Sequence, residues 1–567
     1  MTAPRVAPQS PLRIGNASGF YGDRFEAVRE MLDDGPLDVL TGDYLAELTM
    51  GILARDGLRD PSTGYAKTFL RQMESCLGLA LDKNVTIVVN AGGVNPEGLA
   101  AALRQTADRL GLADRARIGY VTGDAIDRDD AIATNAYLGA FGIAECLRGG
   151  ANVVVTGRVT DASLVIGPSI AHFGWGRDDL DALAGATVAG HVIECGPQAT
   201  GGNYAFFRDI PDLRHPGFPI AEISADGSAV IAKHPGTGGA VTVGTVTAQL
   251  LYEIGSPAYL GPDVVTHLDT VMLTHEDADR VRIAGARGTP PPPTLKVGVT
   301  KLGGYRNTMT FVLCGLDIEA KAALVRAQLT DAIGTDGVTF DLVRTDHVDA
   351  TRTEEASALL HVHVKDRDGQ RAGRAFSRAA VELALASYPG TTLTTPPGDA
   401  SPFATFTAGA VTQGAVSHTA VVPSGDRVRI APPQVTDPDA GTPPSNATAP
   451  RERAQSRPTA RRALGDVVGA RAGDKGPDAN LGLWVRNDEA YDWLRATITT
   501  ERLRELLPET AALAIDRYEL PNLRAVNFVL HGLLGDGVGG STRFDPQAKA
   551  LGELMRARVI DIPVELR

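Results

Sequence analysis

Only four cysteines occur in 567 residues, Cys76, Cys146, Cys195 and Cys314, and no two form a CxxC pair. That scarcity excludes a disulfide framework and thiolate metal motifs, and it points to a reducing compartment. Positive charge is short as well. Fifty-five Lys and Arg stand against 68 Asp and Glu, a net charge of −13. Without a basic field, neither nucleic acid nor an anionic membrane is expected as a partner. No run of about 18 uncharged apolar residues occurs, and Met1 to Pro11 lacks the apolar core of a signal peptide. The expected location is cytoplasmic. A Gly-Lys-Ser/Thr phosphate loop and a second His-rich cluster are also missing, and the G-x3-G-x2-G spacing of Gly15, Gly19 and Gly22 is not the dinucleotide fingerprint, so no cofactor is evident and no metal is expected.

What the chain does have is glycine, 63 of them, and a hydrophobic content of 43%, which suits a globular protein of roughly three or four domains. Short apolar runs stop at glycines with polar neighbours: Leu12–Ile14 into Gly15-Asn16, Val39-Leu40 into Thr41-Gly42-Asp43, and Thr86–Asn90 into Ala91-Gly92-Gly93. Tyr120-Val121 runs into Thr122-Gly123-Asp124, and Val153–Val155 into Thr156-Gly157-Arg158. Such runs read as strands buried on both faces of a parallel sheet. Helical spacing at Asp23–Leu32, Tyr44–Leu58, Pro96–Leu112 and Asp129–Arg148 fills the gaps. The fold class expected is therefore α/β, a doubly wound and mostly parallel sheet with ligands at the strand ends.

The domains expected are an α/β domain over 1–290, a second α/β lobe over 291–430, a flexible linker over 431–462 rich in Pro, Ala and Thr, and a ferredoxin-like α+β domain over 463–567. In the last domain, Arg471–Asn480 and Gly532–Gly540 read as polar glycine loops. They suit a surface that meets the main domain or a second copy of the chain, and a homo-oligomer is expected.

Several constellations carry chemistry. In the loop Gly15–Asp23, Asn16, Ser18 and Gly19 allow close approach to an anion at a helix start. Asp43, Asn90, Asp124 and Asp161 lie at strand ends, where carboxylates either move protons or cap the next helix. Arg158 suits a bidentate clamp on an anionic oxygen pair, because a lone cation at a helix N-terminus opposes the dipole. His191 and Glu194 share one face at i and i+3, as an acid/base pair or a structural contact. Lys233, His234 and Thr237 form a second candidate anion loop, followed by Gln249, Tyr252 and Glu253. Cys195 is either a nucleophile or a small buried hydrophobe.

Together, Gly15–Asp23, Thr41–Glu47, Asn90–Gly93, Thr156–Asp161 and Lys233–Gly239 with Gln249–Ile254 resemble the acyclic terpene utilisation (AtuA) family over about residues 13–427. The segment Ala472–Gly476 resembles the ferredoxin-like domain of some members. The resemblance implies breakdown of citronellol- and geraniol-type compounds through CoA thioesters. The function expected is an enzyme of lyase, hydratase or isomerase type acting on a branched acyl-CoA or carboxylate by proton transfer. In it Asp124, Asp161, His191 and Glu194 would be catalytic. Substrate would be held by Asn16, Ser18, Gly19, Asp43, Asn90, Arg158, Lys233, His234 and Thr237. The alternative is a non-catalytic scaffold or substrate-delivery partner of a biotin-dependent acyl-CoA carboxylase. A nucleotide-dependent reaction is a third reading, disfavoured by the missing phosphate loop.

Overall fold

A computed structural model describes residues 10–441 and 458–566. The chain forms two compact units, one of residues 1–300, 406–538 and 545–567, the other of 301–405 with 539–544. Among the described residues no helix is long and apolar enough to cross a membrane.

The first unit is built on an 11-stranded sheet. Its centre is β1 (Leu12–Asn16), β2 (Val39–Gly42), β3 (Thr86–Val89), β4 (Ile118–Thr122) and β6 (Val153–Thr156), with β5 (Ala133–Ala136) lying outside it. In space the order is β1-β2-β3-β6-β4, and all four pairings are parallel. Every residue of β2 and β6 is buried, which is what an uninterrupted apolar run predicts. Helices α1 (Ala27–Asp33), α3 (Lys67–Asp82) and α4 (Pro96–Arg109) cover the face carrying Leu40, Ile87, Val89 and Val155. The opposite face, with Ile14, Val39, Val88 and Val154, packs on α5 (Phe141–Arg148), α6 (Ser163–Phe173) and α7 (Leu180–Ile193). The remaining early helix, α2, is Glu47–Arg59.

Beyond this centre the sheet is mixed rather than mostly parallel. β7 (Pro219–Ile223), β8 (Ala229–Lys233) and the strands Arg280–Ala284 and Met272–Asp277 extend it antiparallel beyond β1. Thr419–Val421 and Arg427–Arg429 extend it antiparallel beyond β4. The reason is connection length. Tight turns join β7 to β8, Met272–Asp277 to Arg280–Ala284 and Thr419–Val421 to Arg427–Arg429, and within each hairpin a parallel pairing would need a crossover of about a dozen residues. The expected helix Asp129–Arg148 is also divided. Its first part is β5, whose Ala133–Ala136 pairs with Val297–Thr300 from the start of the long strand Thr294–Cys314. α7 is buried at every position from Ala182 to Ile193, as a helix apolar on all sides should be. His191 is therefore held deep inside.

The C-terminal part of this unit is a four-stranded antiparallel sheet, ordered Gly469–Lys475, Asp478–Trp484, Ala525–Leu530, Ile515–Leu520, with helices Asp488–Thr497, Thr500–Leu506 and Leu551–Arg556. It is the ferredoxin-like domain. Arg471–Asn480, read from sequence as a loop, is a hairpin that turns at Gly476 (φ 65) and Pro477. Within the expected linker, Thr459–Ala463 pairs with Val559–Pro563, and Ala431 O accepts from Arg177 Nη2 at 2.6 Å. Positions 442–457 lie outside the described residues.

In the second unit, helices Ile318–Ile333 and Phe376–Glu382 pack through Ile318, Val325, Leu329 and Phe376 on Met309, Phe311, Leu360 and Val362 of an antiparallel sheet. The α/β pattern read over 291–430 thus forms a compact body over 301–405.

Candidate functional site

Because β1, β2, β3 and β6 run in parallel, their following loops share one rim, and the polar strand-end residues meet there. Asn16 spends its side chain on the protein. Its amide donates to Glu194 O (2.8 Å) and Ile193 O, and its Oδ1 accepts from Ser18 N (2.7 Å). It thereby ties the end of α7 to β1. Asn90 accepts from Tyr44 N (2.7 Å) and donates to Asp43 Oδ1 (2.6 Å), fixing that carboxyl. Ser18 Oγ donates to Phe20 O (3.0 Å) and Asp43 O (3.2 Å). A Cβ on Gly19 would stand 2.7 Å from the Cys195 carbonyl carbon, so this glycine permits close approach of protein backbone.

Asp124 serves the loop after β6. Its Oδ2 accepts from Arg158 N (2.9 Å) and Asn135 Nδ2 (2.8 Å), and burial raises its pKa. The capping alternative fails for Asp161, since α6 has no side-chain cap and Asp161 Oδ1 lies 3.3 Å from Arg158 Nη1.

Arg158 is the centre of the cluster. Its guanidinium stacks over the Tyr137 ring (4.2 Å), Nη1 donates to Leu45 O (3.0 Å), and the buried Nε has no partner. Burial opposes its charge, but Tyr137, Asp161, Asp43 and Glu47 together keep it raised. Lys296 covers the same Tyr137 ring (4.5 Å) and pairs with Glu47 (3.9 Å). The pairing of β5 with residues 297–300 delivers both, since Tyr137 N donates to Lys296 O (2.9 Å). Lys296 keeps 40% and Asp161 27% of side-chain exposure. Lys296 and Asp161 thus keep the otherwise buried cluster within reach of solvent.

The deepest element is the pair His191–Glu194. Nδ1 and Oε1 are 2.9 Å apart, while His191 Nε2 and Glu194 Oε2 are buried without partners. Burial pushes the imidazole down to about 4, and it pushes the carboxyl up, helped by Asp161 and Glu253. Burial thus favours the neutral form of both groups, which share the Nδ1–Oε1 hydrogen bond and leave Nε2 and Oε2 free for other partners. Asp43 and Glu253 are raised by burial in the same way. Asp474 is raised to about 8 by burial and by Glu253. Tyr259 tilts against His191 at 5.3 Å. Burial raises the Cys195 thiol well above its ordinary value, a neutral state that does not suit a nucleophile.

Lys233, His234 and Thr237 are engaged elsewhere. Lys233 Nζ donates to Thr237 O (2.7 Å) and pairs with Asp279 (3.1 Å). The ring of His234 packs against Gly35, with Nε2 at 3.2 Å from Met31 O, and Thr237 Oγ1 donates to His234 O. The loop closes on itself, and none of the three bonds to the Arg158 cluster. Conversely, Glu47, Tyr137, Glu253, Tyr259, Lys296 and Lys475 enter the cluster although none was assigned to a site. The sequence did single out the charged run Asp474-Lys475, Glu253 after the Lys233–Gly239 loop and Glu47 in the Thr41–Glu47 segment, without a site role for any of them.

This charge arrangement has a pH consequence. Carboxyls with raised pKa keep protons in the fold that the unfolded chain releases, so stability falls as pH rises between their unfolded and folded values. His191 acts in the opposite direction, but only below about pH 6.5. The melting temperature in calorimetry is therefore expected to drop between pH 6.5 and 8; a flat or rising value would remove the protonated carboxyls. Among the described residues, no group of three or more His, Cys, Asp or Glu could hold a metal ion.

No curated protein matches the chain. The family model of the acyclic terpene utilisation family protein AtuA matches residues 12–422, and that of the AtuA ferredoxin-like domain matches residues 462–561. With most of its length covered and the second match at its C-terminus, the chain belongs to the acyclic terpene utilisation (AtuA) family.

Proposed function

We propose that the crevice around Arg158 binds a branched acyl-CoA thioester or carboxylate of acyclic-terpenoid or branched-acid metabolism and moves a proton next to its carbonyl. Isomerisation begins with removal of that proton, whereas hydration and retro-aldol-type carbon–carbon cleavage deliver a proton to the same carbon once water has added or the carbon–carbon bond has broken. The observation that carries the reading is the buried His191–Glu194 pair, with two unpartnered atoms, beside the unpartnered Nε of Arg158. Unsatisfied buried polar atoms cost about 1–3 kcal/mol each, and clusters of them mark places where a ligand supplies the missing partners.

The roles follow from the charges. Arg158 and Lys296 hold the anionic oxygens and stabilise the oxyanion that forms as the proton leaves carbon. Glu194 and His191 exchange the proton, since a carboxyl with raised pKa works near neutral pH. Asp43 and Asp161 flank Arg158 and set its direction. Asn16 and Asn90 are positioning residues, acting through Glu194 and Asp43.

The test is incubation with a panel of branched acyl-CoAs in D2O, with mass spectrometry of the thioesters. At least one member is expected to take up deuterium, and also to gain water, rearrange or split. If no thioester exchanges a proton or forms a product, the reading fails.

A further inference from the structure

We propose that Lys475, carried by the C-terminal domain, is a substrate-facing cation of the crevice, so that the ferredoxin-like domain is a working part of the site. The inference deepens the proposed function and rests on that reading for the anion Lys475 would meet.

Three observations converge on it. The first is the path of the chain. The hairpin Gly469–Lys475/Asp478–Trp484 ends at Lys475, whose Nζ donates to Glu253 O (2.8 Å) and stands 5.9 Å from the Tyr259 ring centre. The hairpin tip is itself held. Pro477 O accepts from Leu534 N (2.9 Å), and Asp478 takes bonds from Gly532 N (2.8 Å) and His531 (3.1 Å). A lysine on so fixed a base is aimed rather than trailing.

The second is the backbone of Glu253. It is held at φ 57, a left-handed conformation that costs a non-glycine residue of order 1 kcal/mol or more and persists where its surroundings enforce it. The enforcing groups come from the C-terminal domain. Asn480 Oδ1 accepts from Glu253 N (2.8 Å), Asn480 Nδ2 donates to Leu251 O (2.7 Å), and Lys475 takes the Glu253 carbonyl. Gly473 lets the strand lie against Tyr252, where a Cβ would come within 2.3 Å of the ring. Glu194 and His191 feel the charge of the turned Glu253, and Glu253 in turn feels that of Asp161.

The third is electrostatic. Lys475 is enclosed enough that burial and the neighbouring Lys296 lower its pKa, yet its side chain is exposed to solvent. Two lysines that repel each other across a solvent-reached crevice are both relieved by an anion between them. With Arg158 they supply three cations from three distant stretches of chain.

The experiment labels the full-length protein with pyridoxal 5′-phosphate, an anionic aldehyde that forms an imine with a free amine, followed by borohydride reduction and peptide mass spectrometry. Reductive methylation with formaldehyde, a neutral aldehyde, runs in parallel. Each unit by which an ammonium pKa falls raises its free-amine fraction about tenfold below that pKa. Lys475 is expected to react with pyridoxal 5′-phosphate at least about tenfold faster than the exposed Lys67 and Lys549, and to lose much of that lead with formaldehyde. No lead with the anionic reagent, or an equal lead with both (an accessible amine only), overturns the proposal. The labelling needs no substrate. A silent acyl-CoA panel with fast, anion-selective labelling counts against the reaction, whereas turnover with unselective labelling counts against Lys475.

Discussion

Arg158→Ala is expected to weaken acyl-CoA binding by about 1.5–3 kcal/mol, roughly 10- to 150-fold, the scale of lost charge-assisted hydrogen bonds. It is also expected to destabilise the fold by about 3–5 kcal/mol, because removing one partner of a buried ion cluster leaves the others unpaired. The partners here are Asp161 at 3.3 Å, with Asp43 and Glu47 within electrostatic reach. Calorimetric titration and urea unfolding read the two effects separately. Since the alanine variant could unfold outright, Arg158→Lys is the decisive companion. It keeps the charge but loses the planar fork that spans Leu45 O and Asp161 while stacked on Tyr137. A folded Arg158→Lys protein that binds thioesters as the parent does would remove Arg158 from the binding role.

The second large effect belongs to Glu194. Glu194→Gln keeps a donor toward His191 Nδ1 and nearly the same volume, but it carries no exchangeable acidic proton. The fold should survive, and kcat should fall by about 10²- to 10⁴-fold, the usual weight of a positioned acid or base. KM is expected to move far less, because the anion-holding cations are untouched. In the parent, burial raises the Glu194 pKa, so its protonated form persists to higher pH than that of a free carboxyl before it is lost. Activity that needs the acid form therefore declines on the alkaline side, and that limb should vanish in the amide variant. An unchanged kcat or an unchanged alkaline limb would assign the proton transfer elsewhere.

The central strands were legible in the chain because burial on both faces writes a continuous apolar run, and the turn after it writes a glycine. The His191–Glu194 pair was legible for a similar reason: three residues along a helix is one face. What stayed open in the sequence was the meaning of glycine. Gly19, Gly238 and Gly239 do allow close approach, but the approaching groups are backbone atoms of Cys195, Asp212 and Thr200. Sequence records that something comes near without recording what. That Lys296, Glu253 and Lys475 meet was not legible, for a different reason. Their convergence depends on strand Thr294–Cys314 pairing with β5 and on a hairpin docking against Leu251–Glu253. Neither event has a local signature. The flanking antiparallel strands show the same limit, since direction is set by connection length and edge pairing rather than by composition.

The order in which the strands arrive has a consequence for the newborn chain. The outer edge of β4 is covered by Thr419–Val421, which follows it by roughly 300 residues, with residues 301–405 of the second unit between them in the sequence. At about 5–20 residues per second, a ribosome leaves that edge without its neighbour for about 15–60 seconds. Throughout this interval the backbone of Tyr120 to Thr122 offers unsatisfied amides and carbonyls to any extended peptide nearby. Yield in an overproducing cell should therefore track how well chaperones shield nascent chains, more than how stable the finished protein is.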